Sequence, residues 1–196
     1  MRIFRKGLGP HALPLAMAGV KMGERLVTVG AGDPRMSAAV AGKVGLTGRA
    51  CAIADSAAGA DALRAAAARA GVLVEIEVAP FGRLPFEDAA FDVALIDSTS
   101  GLLATLPRVD RVSLVAEIFR LLRPGGRLIA VERYARAGLF SLAGAPPSSP
   151  EYTSSGGAPH AFEAAGFRPV RVLAERDGLR FVEGLKRQGG EGEKGR

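Results

Sequence analysis

The sequence predicts a single α/β domain built on a doubly wound, mainly parallel sheet whose last strand is antiparallel. Short apolar runs alternate with segments of helical periodicity along most of the 196 residues, the pattern of strand–helix–strand units. The run 91–96 is almost wholly apolar, as a parallel strand covered on both faces should be. Only residues 175–178 join the final two strand candidates, and a connection of that length favours an antiparallel hairpin.

Seven strand candidates follow one another along the chain. They share short runs of Val, Ile, Leu and Ala and cover residues 25–29, 49–54, 72–78, 91–96, 127–132, 168–173 and 179–185. The third alternates apolar and polar side chains, which indicates a half-exposed strand. Where helices of ten or more residues separate two strands, the crossover is right-handed and the strands are parallel.

The helices are predicted from their spacing of apolar residues and from their boundaries. The candidates are 12–20, a helix from Pro34, the Ala-rich 58–70, 111–122 and 160–165. Pro124-Gly125-Gly126 is expected to end the fourth of these and to lead into the next strand. We expect a long loop over 135–155, and the stretch 135–159 is expected to be the lid of the substrate site.

The domain is predicted to span residues 1–187, with a basic segment over 1–10 and a disordered polar tail over 188–196. The formal net charge is +6 and the sequence pI is near 10.1, which invites a nucleic-acid hypothesis. However, residues 1–25 carry +4 and residues 186–196 carry +2, so that residues 26–185 are neutral. A phosphate-binding groove needs basic residues clustered in the folded part. We therefore expect no specific nucleic-acid partner.

Cysteine content and hydrophobic segments limit the location of the protein. The single cysteine, Cys51, excludes an intrachain disulfide and a cysteine-rich zinc site, and we predict no metal. No segment reaches the length of about 20 apolar residues that spans a bilayer. Pro10, His11 and Pro14 interrupt the only stretch that faintly resembles a signal peptide. These observations favour a soluble, cytoplasmic protein.

The turn after the first strand is the first candidate for a ligand site, because such sheets bind ligands beyond the carboxyl ends of their strands. It reads Gly30-Ala31-Gly32-Asp33-Pro34. The two glycines allow a tight bend and close backbone approach to a ligand, and Asp33 is a suitable N-cap for a helix beginning at Pro34. A dinucleotide fingerprint requires a third glycine where this chain has Arg35, which counts against NAD.

The second strand ends at Asp55-Ser56. A carboxylate at this position can accept two hydrogen bonds from ribose hydroxyls. Alternatively, Asp55 only caps the helix that follows it. The residues themselves leave both interpretations open.

Two longer patterns resemble those of class I S-adenosylmethionine-dependent methyltransferases, especially the ubiquinone and menaquinone C-methyltransferases. Residues 84–93 read L-P-F-E-D-A-A-F-D-V and residues 121–128 read L-L-R-P-G-G-R-L. The family has L-P-F-x-D-x-x-F-D-V before its fourth strand and L-x-P-G-G before its fifth. Stretches 20–25, 44–49 and 162–167 also match, in the right order, so that the resemblance covers about residues 12–186.

The resemblance implies a Rossmann-like fold with S-adenosyl-L-methionine as cofactor. Gly30, Ala31 and Gly32 would lie under its methionyl part, and Asp55 with Ser56 would hold the ribose. Residues 79–81, with Phe81 packing on the ring, would border the adenine. Asp97 and Ser98 would lie near the sulfonium. The protein would mainly align methyl donor and acceptor.

Three departures from the family pattern weaken the implied cofactor site. Thr28 replaces the acid that precedes the first glycine, Pro34 replaces the third glycine, and Pro80 replaces the acid that reads adenine. The loss of each charge-assisted hydrogen bond, about 1.5–3 kcal/mol, weakens binding by one to two orders of magnitude.

The sequence therefore favours methyl transfer to a small-molecule acceptor and leaves a non-catalytic binding module as the alternative. The alternative predicts that Thr28→Asp raises cofactor affinity without producing turnover. No general base can be identified: His11 and His160 are the only histidines, and His160 has the context of a surface residue. Tyr134 and Tyr152 flank the long loop, where each either lines a substrate pocket or packs in the core.

Overall fold

The computed structural model describes Gly9, residues 11–133 and residues 150–188. It contains helices α1 (Ala12–Ala18), α2 (Pro34–Ala41, extended by a 3₁₀ turn Gly42–Val44), α3 (Ala57–Ala70), α4 (Leu102–Thr105), α5 (Arg108–Leu121), α6 (Pro150–Ser154) and α7 (Gly157–Ala164). Its strands are β1 (Arg25–Val29), β2 (Arg49–Ala54), β3 (Glu75–Val78), β4 (Phe91–Ser98), β5 (Leu122–Arg133), β6 (Val170–Arg176) and β7 (Leu179–Leu185).

The seven strands form one sheet in the order β3-β2-β1-β4-β5-β7-β6. The first five pair in parallel, whereas β7 lies antiparallel between β5 and β6. The predicted α/β class, the doubly wound parallel sheet and the antiparallel last strand are confirmed. Strand order reverses between β1 and β4, and such a switch point is where sheets of this type bind ligands.

Helices cover both faces of this sheet. On one face, Met36 and Val40 of α2 pack with Leu26, Leu95 and residues of α1. On the other, Leu114 and Ile118 of α5 pack with β4, β5 and the phenylalanines of the α7 region. Strand β4 is central to both clusters because its successive side chains point to opposite faces. The apolar run 91–96 therefore has the burial that a central parallel strand requires.

The boundary between α5 and β5 differs from its prediction. We predicted a turn at Pro124-Gly125-Gly126, but β5 begins at Leu122 and includes all three residues. They form a bulge, since Phe91 pairs with Leu122 whereas Val93 already pairs with Arg127. Such a bulge depends on how the strand pairs with its neighbour, so it cannot be predicted from the local sequence.

Smaller differences concern strand lengths and short helices. Strand β3 begins at Glu75 rather than at residue 72, and α5 begins at Arg108 rather than at residue 111. Helix α6 lies inside the stretch that we predicted as loop. Tyr134, the rest of that loop, the basic segment except for Gly9, and the polar tail beyond Gln188 lie outside the described residues. Within the described part of the chain, none of the helices has the length and apolarity needed to cross a membrane.

The single cysteine has the buried apolar role expected of it. Cys51 lies in β2 and is 1% exposed. Burial, the largest effect, raises the pKa of its thiol to about 12. The thiol is therefore protonated at neutral pH and is a poor nucleophile.

Asp92 connects three strands at the amino end of the sheet. Its carboxylate accepts hydrogen bonds from the Arg25 backbone N–H at 2.7 Å, from the Arg25 Nε at 3.2 Å and from the Arg123 Nε. Burial alone would raise the pKa of Asp92, but the hydrogen bonds from Arg123 and Arg25 outweigh it and lower this pKa to about 2. The ionised carboxylate is therefore stabilised in the folded state.

The Asp92→Asn variant is expected to lose about 2 kcal/mol of unfolding free energy at pH 7. Because the folded pKa lies below the unfolded one, the contribution of Asp92 is complete above about pH 4 and disappears as the pH falls towards 2. Urea denaturation at several pH values should show a shallower acid decline for the variant. Glu87→Gln, which neutralises an exposed carboxylate on the preceding loop, is the control, and an equal effect of both variants would contradict this account.

Candidate functional site

The carboxyl ends of β1, β2 and β4 bring the predicted site residues to one rim of the sheet. Val29 pairs with Ile53 on one side and with Ile96 on the other. Asp55, which follows β2, and Asp97, which is the penultimate residue of β4, therefore lie on either side of the bend that starts at Gly30. We refer to this edge, from the end of β2 to the end of β4, as the binding rim.

The glycine bend is dictated by the close approach of β4. Gly30 has a φ of +96° and its N–H donates to the Ile53 carbonyl at 2.9 Å. A Cβ on Gly30 would lie 2.6 Å from the Asp97 carbonyl oxygen, and one on Gly32 would lie 2.5 Å from the Thr99 Oγ1. The sequence interpretation attributed these glycines to approach by a ligand. In the structure, protein atoms of the neighbouring strand already require them.

Asp97 holds this bend against the end of β4. Its side chain is fully buried, and one carboxylate oxygen accepts from the Asp33 backbone N–H at 2.5 Å and from the Ser37 hydroxyl at 3.4 Å. The other oxygen accepts from the Thr99 N–H at 3.2 Å and from its hydroxyl at 2.7 Å. Asp97 thus fixes where α2 begins relative to β4. The neighbouring Ser98 is also buried and accepts from the Leu103 N–H at 2.9 Å.

Asp33 begins α2 as its residue type predicts. One oxygen of its carboxylate accepts from the N–H groups of Arg35 and Met36, each at 3.1 Å. Pro34 occupies the first helical turn, where its missing N–H costs no hydrogen bond. The predicted N-cap is confirmed.

At the end of β2, Ser56 rather than Asp55 caps the helix that follows. Ser56 caps α3, since its hydroxyl accepts from the Gly59 N–H at 3.3 Å. Asp55 is exposed and has no hydrogen bond or ion pair within the described part of the chain. A Cβ added to Gly59 would lie 3.4 Å from the Ala31 Cβ, so the start of α3 contacts the glycine bend. Asp55 therefore follows a strand end close to the bend, and both oxygens of its carboxylate are without a partner among the described residues.

The turn after β3 lies beside the end of β2. The backbone N–H of Ala79, the first residue of this turn, donates to the Ala54 carbonyl at 3.0 Å. This hydrogen bond places the turn next to Asp55. Phe81 is 8% exposed and packs in the core with Ala79 and Leu84. Pro80 is the exposed residue of this turn.

Arg120 of α5 fixes the 84–88 segment that follows this turn. Its guanidinium donates to the carbonyls of Leu84 and Phe86, at 3.1 and 2.8 Å, and to the Asp88 carboxylate at 2.8 Å. Glu117 accepts from the Leu84 N–H at 2.9 Å. The L-P-F-E-D pattern is therefore structural, because it supplies a loop that one helix holds by its backbone.

A cleft of about 470 Å³ opens on the α1 side of the rim. Its walls come from the start of α1, the glycine bend, the ends of β4 and β5, and the β6–β7 turn: His11, Pro14, Gly32, Asp33, Met36, Thr99, Arg133, Asp177, Gly178 and Leu179. The His11 Nδ1 lies 3.8 Å from Asp33 Oδ2. An imidazole beside a carboxylate can accept a proton from a bound molecule.

Sequence reasoning missed His11 because nothing local distinguishes it. Folding brings α1 onto α2, so that residues 22 positions apart in the chain meet at the cleft wall. The other histidine, His160, is exposed on α7 and does not line this cleft.

Tyr152 belongs to a buried polar cluster beyond the end of β5. Its hydroxyl donates to Glu132, and the Arg111 guanidinium lies 4.7 Å from the centre of its ring. Burial raises the pKa of Glu132, although the hydrogen bond from Tyr152 opposes this shift. Burial, followed by the Glu132 charge, also raises the pKa of Tyr152. Tyr152 thus packs in the core, anchoring α6 to β5.

The fold and the rim define the class of this protein. A seven-stranded sheet in this order, with a glycine bend after β1 and an acid after β2, is that of a class I S-adenosylmethionine-dependent methyltransferase. The family model described as a methyltransferase domain matches residues 27–130. The chain belongs to this methyltransferase domain family, with S-adenosylmethionine as its cofactor.

Solved structures share the fold across nearly the whole chain. A SAM-dependent methyltransferase from Aquifex aeolicus has a TM-score of 0.70 at 20% identity, covering 90% of this chain and 89% of its own. YcgJ from Bacillus subtilis has a TM-score of 0.64 at 15% identity, with coverages of 91% and 98%. The [4+2]-cyclase SpnF has a TM-score of 0.64 at 18% identity, with coverages of 91% and 80%. No curated protein sequence matches the chain.

Proposed function

We propose that this protein transfers the methyl group of S-adenosylmethionine to a small-molecule acceptor bound in the cleft of about 470 Å³. The observation that carries the proposal is the position of this cleft. It shares Gly32 and Thr99 with the binding rim, so that an acceptor in the cleft and a cofactor on the rim are neighbours. Alignment of donor and acceptor is the main contribution that a protein makes to such a transfer.

The residues of the rim fit the adenosyl part of the cofactor. The free Asp55 carboxylate can accept from both ribose hydroxyls, and the Gly30–Gly32 bend would lie under the methionyl part. The cofactor supplies a methyl group on a positively charged sulfur. Adenine would border the turn at 79–81, where Pro80 is exposed; packing of Phe81 on the ring remains a prediction.

The size of the cleft supports a small acceptor. Its volume lies in the range of ordinary small-molecule pockets. Among the described residues, its lining carries one arginine, one histidine and two aspartates, without a run of basic residues that would bind a nucleic-acid backbone. The acceptor is thus a polar molecule of drug-like size or smaller.

Titration calorimetry with S-adenosylmethionine and with its demethylated product tests cofactor binding. Incubation with the labelled cofactor and separated fractions of a cell extract tests the acceptor. We expect label in the low-molecular-mass fraction, and label confined to protein or nucleic acid would contradict a small acceptor. Absence of binding at millimolar cofactor would defeat the proposed reaction.

A non-catalytic binding module is the second candidate, and Thr28 favours it. Thr28 is 2% exposed between β2 and β4, so that the usual acid before the glycines is replaced by a buried neutral side chain. This candidate predicts cofactor binding without label in any fraction.

The His11→Gln variant is expected to lower turnover about a hundredfold at saturating cofactor if the acceptor is a hydroxyl that must lose its proton. The cofactor dissociation constant should not change, because His11 lines the cleft, whereas Asp55 is not among the residues that line it. His160→Gln is the matched control, since it removes the same side chain from an exposed position on α7. Equal turnover of both variants would show that His11 accepts no proton.

A further inference from the structure

Asp97 is a buried carboxylate with no cationic partner among the residues that the structure describes. Its side chain is 0% exposed, and its four hydrogen bonds come from neutral donors on Asp33, Ser37 and Thr99. None of the ion pairs between described residues includes it. Buried carboxylates are normally paired with a positive charge, because their removal from water is costly.

The Asp97 carboxylate lies at the binding rim, directly beside the glycine bend. Asp97 is the penultimate residue of β4, and an added Cβ on Gly32 would lie 2.8 Å from its Oδ1. Thr28 pairs with Leu95, so Asp97 lies on the same face of the sheet, two residues farther toward the rim. The negative charge that Thr28 lacks is therefore present on the adjacent strand.

We propose that Asp97 makes the rim selective for a positively charged cofactor over its neutral product. The inference rests on the proposed function. Inside a low-dielectric rim, a fixed negative charge attracts a sulfonium and offers no such attraction to a thioether. Asp97 acts through its charge, since its oxygens are already occupied by the bend. The same charge favours release of the product once the methyl group has left.

Titration calorimetry on the wild-type protein with three ligands tests this selectivity. S-adenosylmethionine and sinefungin, which has an amine in place of the methylsulfonium, are positively charged at that position; S-adenosylhomocysteine is neutral there. We expect both charged ligands to bind at least about tenfold more tightly than the neutral one. Equal or tighter binding of S-adenosylhomocysteine would overturn the inference. Failure of all three to bind would defeat the proposed function instead.

The Asp97→Asn variant isolates the charge. It is expected to lose most of this preference, because charged ligands weaken about tenfold more than the neutral one. Thr99→Val is the control, since it removes a hydrogen bond to Asp97 but keeps the carboxylate; it should weaken all three ligands by one common factor. An unchanged preference in Asp97→Asn would contradict the inference. If this variant does not fold, the wild-type comparison still decides.

Discussion

Replacement of Asp55 with alanine should weaken S-adenosylmethionine binding roughly a hundredfold, with little change in the free energy of unfolding. Hydrogen bonds to a charged group contribute about 1.5–3 kcal/mol each, and the ribose offers two hydroxyls to one carboxylate. Because Asp55 is exposed to solvent, the expected loss of binding free energy lies at the lower end of the sum for two such hydrogen bonds. Stability should be retained because Asp55 has no partner within the described residues and Ser56 caps α3. Calorimetry and thermal unfolding measure the two quantities.

Asp61→Ala is the matched control for this variant. Asp61 is an exposed aspartate on α3, and its described contact is an ion pair with Arg64 at 2.8 Å. Such surface pairs contribute little to stability. The control should bind the cofactor like the wild type. Comparable binding by Asp55→Ala and Asp61→Ala would mean that Asp55 does not contact the ribose.

The Gly30→Ala variant is expected to lose about 3 kcal/mol of unfolding free energy and to bind no detectable cofactor. A left-handed φ of +96° costs any residue with a side chain about 1–2 kcal/mol. The added methyl would also lie 2.6 Å from the Asp97 carbonyl oxygen, a backbone atom that cannot rotate away. Forcing β1 and β4 apart costs a further 1–3 kcal/mol, roughly. Urea denaturation followed by circular dichroism measures this loss.

Gly82→Ala separates this effect from glycine substitution in general. Gly82 is exposed and has no heavy atom within 4 Å of an added Cβ. Replacing it should leave the free energy of unfolding within about 0.5 kcal/mol of the wild type. A similar loss in both variants would show that the approach of β4 does not constrain Gly30.

The sequence predicted the parts of this fold that local patterns determine. Strands β1, β2 and β7 have the predicted bounds, since apolar runs end where Gly, Asp or polar residues begin. The start of β5 was wrong because the bulge at Pro124-Gly125-Gly126 depends on pairing with β4. Helix α6 was missed because five residues carry too little periodicity to distinguish a helix.

In the candidate site, too, the features that follow from local sequence were predicted and those that depend on long-range contacts were not. Gly30 and Asp55 were predicted to share one rim because they follow the first and second strands, whereas the position of Asp97 was implied by the family resemblance. The partners of Asp97 at the start of α2 did not follow, because two hydrogen bonds, from the Asp33 N–H and the Ser37 hydroxyl, join residues 64 and 60 positions apart. The pairing of His11 with Asp33 likewise needed the packing of α1. Long-range contacts of this kind leave no local pattern to detect.

The central claim is that the glycine bend and Asp55 together bind the adenosyl group. A crystal structure of the protein grown with S-adenosylmethionine tests this most directly. The account predicts both ribose hydroxyls about 2.6–2.9 Å from the Asp55 carboxylate oxygens, with the methionyl part above Gly30–Gly32. A cofactor bound away from this rim, or a ribose that does not contact Asp55, would contradict it.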